Sequence, residues 1–413
     1  MMKYPYYISA SDLLKQFGSA VALKGLADWR HFYRWLVKES WRTIPVAAGS
    51  IGMGCIGFPY HPVWEVTGAC NLHCLHCHVN SRASEPDELN TEEGLALIDS
   101  LSRERRFKML VYTGGEPLVR EDIDQLLYHS SHCGLGSVIA TNGTLIDEVR
   151  AKELKRLNVR GVAISLDHTD PGVHNRIRND ERAYELAIRG IEACRKAGIL
   201  VQINFTAMTF NIDNVEKLLQ MGNNFGAGIA LCYQLVCVGR GEYATGLALG
   251  RELNEKLIQE LIKIQADLPY IVEPVAAPQY WPALLKNGNL LSRFIGRRTF
   301  HGCTAGWGLV YIKANGDVWP CPFVPVSGGN IRKKSFNEIW KESTIFKKLR
   351  DRNNLSGRCG RCTDRSVCGG CRGKAWVTHH DPLAEDPDCP LEEKNDHLQS
   401  AFFDTPKSMI HGV

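Results

Sequence analysis

What the sequence has little of narrows its function first. Net charge is nearly absent, since 49 Lys and Arg face 45 Asp and Glu over 413 residues for a net +4. The basic residues are scattered and form no aromatic-studded stripe, which excludes nucleic acid as the expected partner. No charged stretch leads into a short apolar run and a small-residue cleavage site at the start of the chain, so the 15 cysteines are not read as disulfides of a secreted scaffold. The expected location is cytoplasmic, where thiols stay reduced and closely spaced ones bind metal. There is no repeat of fixed period and no low-complexity tract.

Asp, Glu, Lys and Arg are all missing from 43–64, "TIPVAAGSIGMGCIGFPYHPVW", which follows the basic and aromatic "WRHFYRWLVKESWR". Its Gly and Pro content argues against a transmembrane segment. A docked helix and buried connector is the favoured reading of 1–62. The sharper one is a weak interfacial contact with a membrane or a greasy substrate.

What is present is a core-forming composition, 44% hydrophobic and 23% charged, enough for one large domain with appendages or for two domains. From residue 63 the short runs "VWEV", "KMLVYT", "GSVIAT", "GVAISL", "LVQINF" and "GIALCYQLV" alternate with amphipathic stretches at 91–101, 120–129, 146–157, 184–197 and 212–221. This is the pattern of βα units around a parallel sheet. Six units are too few for a closed eight-fold barrel. The expected fold class is therefore α/β, a partial (β/α)6 TIM-like barrel over 63–270 with its chemistry on the loops after the strands' carboxyl ends. A charged helix is expected at 251–265, and the prolines of "DLPYIVEPVAAPQYWP" mark a linker at 271–300. A compact cysteine-rich domain follows at 301–395, then a tail at 396–413.

The loop "TGACNLHCLHCHVNS" after the first strand separates Cys70, Cys74 and Cys77 by three and two residues. Three thiolates on one loop suit three irons of a 4Fe–4S cube, which four cysteines normally hold. One iron is left open, and an open position separates catalytic metal sites from closed structural ones. "TGGEP" ends the second strand, "ATNGT" the third, "AISLD" the fourth and "VQINF" the fifth, with "HNRIRN" downstream of the fourth.

Together these motifs resemble those of radical S-adenosylmethionine enzymes, "CNLHCLHC" matching their CxxxCxxC signature. The resemblance implies that S-adenosylmethionine chelates the open iron. It gives Gly114, Gly115, Glu116 and Pro117 the loop that binds the methionine amino group, Ser165 a contact to ribose or carboxylate, and Arg178 the cofactor carboxylate, a task suited to a guanidinium. Asn175 and Asn179 replace the family's Asp and Gly around that arginine. His76 stands where the family carries an aromatic against adenine. Asn142 and Asn204 end their strands and either face the same cavity or serve as turn and strand-end residues.

The remaining constellation is Cys303, Cys321, Cys359, Cys362, Cys368, Cys371 and Cys389. Alone, two CxxC pairs suggest a zinc ribbon. In this context the spacing resembles the SPASM extension of the same enzymes, which holds two auxiliary 4Fe–4S clusters. The resemblance implies one cluster on Cys359, Cys362, Cys368 and Cys389. It implies another on Cys303, Cys321 and Cys371, with an open iron or a further ligand such as Cys237 or an acid. "CGGCRGKAW", "GDVWPCPF", "GRCGRC" and "VGRGEYA" look most like the branch that makes heme and pyrroloquinoline quinone.

The implied activity is reductive cleavage of S-adenosylmethionine to a 5′-deoxyadenosyl radical, with electrons from a ferredoxin or flavodoxin, and hydrogen abstraction from substrate. The substrate is either a ribosomal peptide or protein, or an amphipathic small molecule such as a tetrapyrrole. A non-enzymatic iron–sulfur carrier or zinc-stabilised interaction module is the alternative; it leaves the GGEP loop, Ser165 and Arg178 without a purpose. Cys55, Cys133, Cys194 and Cys232 read as small hydrophobes.

Overall fold

The computed structural model describes residues 61–391 apart from 105, 289, 291, 292, 295, 296 and 298–300; the expected N-terminal helical segment with Cys55, and the tail, lie outside the described residues. Strands β1 (His61–Glu65), β2 (Met109–Thr113), β3 (Gly136–Thr141), β4 (Val159–Ser165), β5 (Leu200–Ala207), β6 (Ile229–Gln234) and β7 (Ile271–Val275) pair in parallel with their sequence neighbours. Their apolar residues run almost without a break, as in "MLVYT" of β2, where the first four residues are buried. A parallel sheet covered on both faces demands that pattern.

Helices α1 (Thr91–Ser102), α2 (Ile123–His132), α3 (Glu148–Arg156), α4 (Pro171–Arg178), α5 (Ala183–Lys196), α6 (Val215–Asn224) and α7 (Arg251–Asp267) fall between the strands. Helix α1 starts at a capping box between Asn90 and Glu93 and buries Leu97, Ile98 and Leu101. Its Gly94 lets the helix close on the sheet, since a Cβ there would stand 2.8 Å from the Trp64 ring.

Three strands extend the expected six-unit barrel. Ile271–Val275, read from its prolines as the start of a linker, is instead β7, and α8 (Tyr280–Asn287) follows it. Pro274 is tolerated because β7 is the edge of the sheet. At the other edge, β8 (Leu309–Ile312) from the cysteine-rich region pairs in parallel with β1, and β9 (Val318–Trp319) pairs antiparallel with β8. The sheet order is β7-β6-β5-β4-β3-β2-β1-β8-β9. Tyr311 of β8 donates its hydroxyl to Glu65 at 2.6 Å, and Lys313 Nζ meets the same carboxylate at 2.8 Å.

Helices α9 (Phe336–Glu342), α10 (Thr344–Arg350), α11 (Gly357–Arg361) and α12 (Arg372–His379) complete the described chain. An aromatic contact docks α9 on the barrel, with the Phe107 ring 5.8 Å from Phe336 and 5.5 Å from Trp340. Outside it, Arg332 reaches Glu93 at 2.6 and 2.8 Å. No helix of the described residues is long and apolar enough to cross a membrane.

Candidate active site

A cavity of about 320 Å³ opens at the carboxyl ends of the strands. Cys70, Cys74 and Cys77 line it from the loop after β1, and Cys303, Cys321 and Cys371 line it from the cysteine-rich region. Between them the wall is mostly apolar, with Val63, Val111, Phe205, Leu231, Val275 and Phe323.

The three-cysteine loop is held in place from outside. Arg240 donates to the Cys74 carbonyl at 2.7 Å and the Ser81 carbonyl at 3.3 Å, and its backbone N–H donates to the Cys77 carbonyl at 2.9 Å. Gly239 precedes it at φ +59, and a Cβ there would stand 2.3 Å from the His78 carbonyl oxygen. Burial pushes the Cys70 thiol up to about 11 and raises that of Cys74. Such thiols ionise when a cation joins them, which is what a cluster iron provides.

The GGEP loop is tied to the same segment. Gly115 donates its backbone N–H to the Thr67 carbonyl and Glu116 to the Ala69 carbonyl, both at 2.8 Å. Gly114 sits at φ +143, where a Cβ would meet Thr67 O at 2.3 Å; at Gly115 it would meet Ala69 O at 2.0 Å. The glycines therefore serve an approach of backbone to backbone. Gly114 and Gly115 line the cavity, but Glu116 and Pro117 lie behind it. Fully buried Glu116 accepts from Thr141 Oγ1 at 2.7 Å and Asn142 N at 2.8 Å, and burial pushes its carboxyl up to about 7.

Asn142, Ser165, Asn204, Arg178 and His76 all line the cavity. Ser165 and Asn204 are register partners on β4 and β5. Asn142 donates to Asn71 of the cysteine loop at 2.9 Å. Arg178 closes α4, where Asn179 takes the left-handed conformation at φ 55 that a glycine otherwise supplies. Its guanidinium meets Asp167 at 2.6 Å and donates to Cys74 Sγ at 3.7 Å, while His76 Nε2 lies 4.0 Å from the same carboxylate. Although burial opposes ionisation of Asp167, Arg178, His76 and His174 hold its carboxyl below the ordinary range. Burial lowers His76 to about 4, so it is neutral.

Asp167 is a residue the sequence reading missed. It is the last letter of "AISLD", and only its position under Arg178 marks it out.

The other cysteines fall into two groups. Burial raises Cys321, and Cys303 and Cys371 raise it further; burial raises Cys368, with Cys389 and Cys359 adding to it. Cys362 is likewise raised by burial and then by Asp364 and Cys359. The groups touch, because Cys303 N donates to the Cys368 carbonyl at 3.0 Å. Arg372, 2% exposed, donates to Cys359 Sγ at 3.5 Å and to the carbonyls of Pro382 and Ala384 at 3.0 and 2.5 Å. Lys374 ties β6 to this region through Gln234 Oε1 at 2.5 Å and Asp388 Oδ2 at 2.9 Å. Cys237 packs with Ile177, Met208, Leu235 and Ala244 and does not line the cavity, so nothing in its placement makes it a ligand there.

Spacing tests the zinc alternative. Zinc–sulfur bonds of about 2.3 Å would bring tetrahedral thiolates within about 3.8 Å of one another. Among the described residues only Asp99, His129 and Cys133 bring three ligating atoms within 4.8 Å. Among the described residues, then, no three of the cavity thiols are gathered as tightly as one zinc ion requires.

A partial parallel barrel with three thiols at the mouth, beside a glycine loop and a buried Arg–Asp pair, is an arrangement suited to an enzyme that holds an iron–sulfur cluster with an open position. Residues 64–222 match the radical SAM superfamily model, and 303–363 match an iron–sulfur cluster-binding domain named SPASM. The chain is 32% identical over 333 residues to AdoMet-dependent heme synthase of Methanosarcina barkeri, covering 79% of this chain and 95% of that one. It is 28% identical to mycofactocin maturase MftC of Mycolicibacterium smegmatis, covering 79% and 81%. Streptococcus suis SuiB bound to S-adenosylmethionine shares the fold, with a TM-score of 0.61 at 19% identity over 81% of this chain and 78% of that one. The chain belongs to the radical SAM superfamily and is an enzyme that employs 4Fe–4S clusters and S-adenosylmethionine.

Proposed function

We propose that this enzyme oxidatively removes carboxyl groups from a tetrapyrrole. The observation that carries the reading is the largely apolar cavity shared by the Cys70/Cys74/Cys77 and Cys303/Cys321/Cys371 thiols. An amphipathic macrocycle suits such walls better than a polar substrate does. The 32% identity to a heme synthase along 95% of its length supports the same choice.

Cys70, Cys74 and Cys77 hold the cluster that takes S-adenosylmethionine, and the seven cysteines from Cys303 to Cys389 hold two auxiliary clusters in a domain at 301–395. Bound there, the first cluster would supply the electron for reductive cleavage of S-adenosylmethionine, and an auxiliary cluster would offer an acceptor for the electron left when the substrate loses hydrogen and carbon dioxide. The protein's own residues orient and exclude water. Gly114 and Gly115 set the loop against the cysteines, Arg178 and Ser165 hold the cofactor's charged end, His76 lies against its ring, and Asn142 and Asn204 frame the mouth. A cytoplasmic ferredoxin or flavodoxin is the electron donor.

The test is anaerobic turnover of the iron-loaded enzyme with dithionite and S-adenosylmethionine, offering carboxylated tetrapyrroles and, in parallel, peptides. Carbon dioxide release coupled to 5′-deoxyadenosine only with the tetrapyrrole supports the reading. Stimulation by a peptide alone overturns it in favour of peptide maturation.

A further inference from the structure

Away from the cavity, the outer helices α1 and α2 bring together three side chains that the proposed reaction does not use. Asp99 Oδ1 lies 2.7 Å from His129 Nε2 and 3.3 Å from Cys133 Sγ, and that sulfur lies 3.4 Å from the same imidazole nitrogen. His129 and Cys133 are four residues apart at the end of α2 and share one face of the chain there. Asp99 comes from α1, packed alongside. None of the three lines the cavity. The His129 side chain is 32% exposed and that of Asp99 47%, so an ion from solvent reaches both.

We infer that Asp99, His129 and Cys133 form a surface site for a zinc-class divalent cation, distinct from the iron–sulfur chemistry. The donor set is one imidazole nitrogen, one carboxylate oxygen and one thiolate, all ordinary zinc ligands. Bonds of about 2.0 to 2.3 Å place tetrahedral ligand atoms about 3.3 to 3.7 Å apart. The two sulfur distances already lie in or near that range, and only the nitrogen–oxygen pair must open, by roughly half an ångström. A water completes the fourth position. Without metal, burial and Asp99 push the Cys133 thiol up to about 11, so that thiol keeps its proton and metal binding releases it. Bound metal would staple α1 to α2 and stabilise the folded chain by mass action.

The experiment uses the iron-loaded enzyme under anaerobic conditions, equilibrated with a buffered Zn²⁺ series. Zinc and iron are counted in wild type, Cys133→Ser, His129→Asn and Asp99→Asn. Wild type is expected to retain about one zinc per chain with its iron undisturbed, and zinc X-ray absorption is expected to show one sulfur at about 2.3 Å. Each variant should bind that zinc more than about ten-fold more weakly, with unchanged iron content and 5′-deoxyadenosine formation. Unchanged iron shows that the variants fold. Wild type that retains no zinc, or variants that retain as much as wild type, overturn the site and leave a hydrogen-bonded triad only.

Discussion

Arg178 and Asp167 form an ion pair of 2.6 Å at the cavity wall, with the carboxylate side chain fully buried and the guanidinium 9% exposed. Removing one partner strands the other charge in a desolvated place, which costs about 3 to 5 kcal/mol. Asp167→Ala is therefore expected to lower stability by about 3 kcal/mol or more in chemical unfolding. It should also weaken S-adenosylmethionine binding, because Arg178 loses its position beside Cys74.

Gly115 is the tightest backbone crossing of the site. A methyl there cannot coexist with Ala69 O at 2.0 Å, so Gly115→Ala must push the cysteine loop away. The expected result is a loss of about 1 to 3 kcal/mol in stability and a weaker S-adenosylmethionine titration. Gly246→Ala is the control, having nothing within 4 Å of its Cβ.

Glu116 makes stability depend on pH. Its folded-state carboxyl lies at about 7 against an ordinary 4.5, so between those values the folded chain binds the extra proton. Stability should fall as pH rises from about 4.5 through about 7, by up to about 3 kcal/mol from this group. Glu116→Gln is expected to flatten that slope in melting temperatures taken across the window.

Arg372 carries a buried positive charge that donates to the carbonyls of Gly370, Pro382 and Ala384 and to the Cys359 sulfur. A cluster on Cys359 would supply a negative charge beside it. Arg372→Met should make that cluster harder to reduce in an EPR-monitored titration. Iron should fall from about twelve per chain toward about eight if the cluster is lost outright.

Much of this was legible in linear order. β-branched runs alternating with amphipathic stretches foretold β1 to β6, because a buried parallel strand needs a continuous apolar run. Ser165 ends β4 as its motif suggested, whereas Asn204, read as ending β5, lies inside that strand, which runs on to Ala207; the two are cavity neighbours because parallel pairing sets them in register. β7 was hidden by Pro274, a residue that means linker in isolation and edge strand in a sheet. Asp167 was hidden because a buried carboxylate shows itself only with its partner.

The sequence alone determined the cysteine spacings, the strand period and the strand-end motifs, since each is set by neighbours a few residues apart. Tertiary structure decided that β8 joins β1, that Cys371 shares a cavity with Cys70, and that Asp167 lies under Arg178. Those relations join residues far apart in the chain, and packing and desolvation bring them together where local pattern carries no trace.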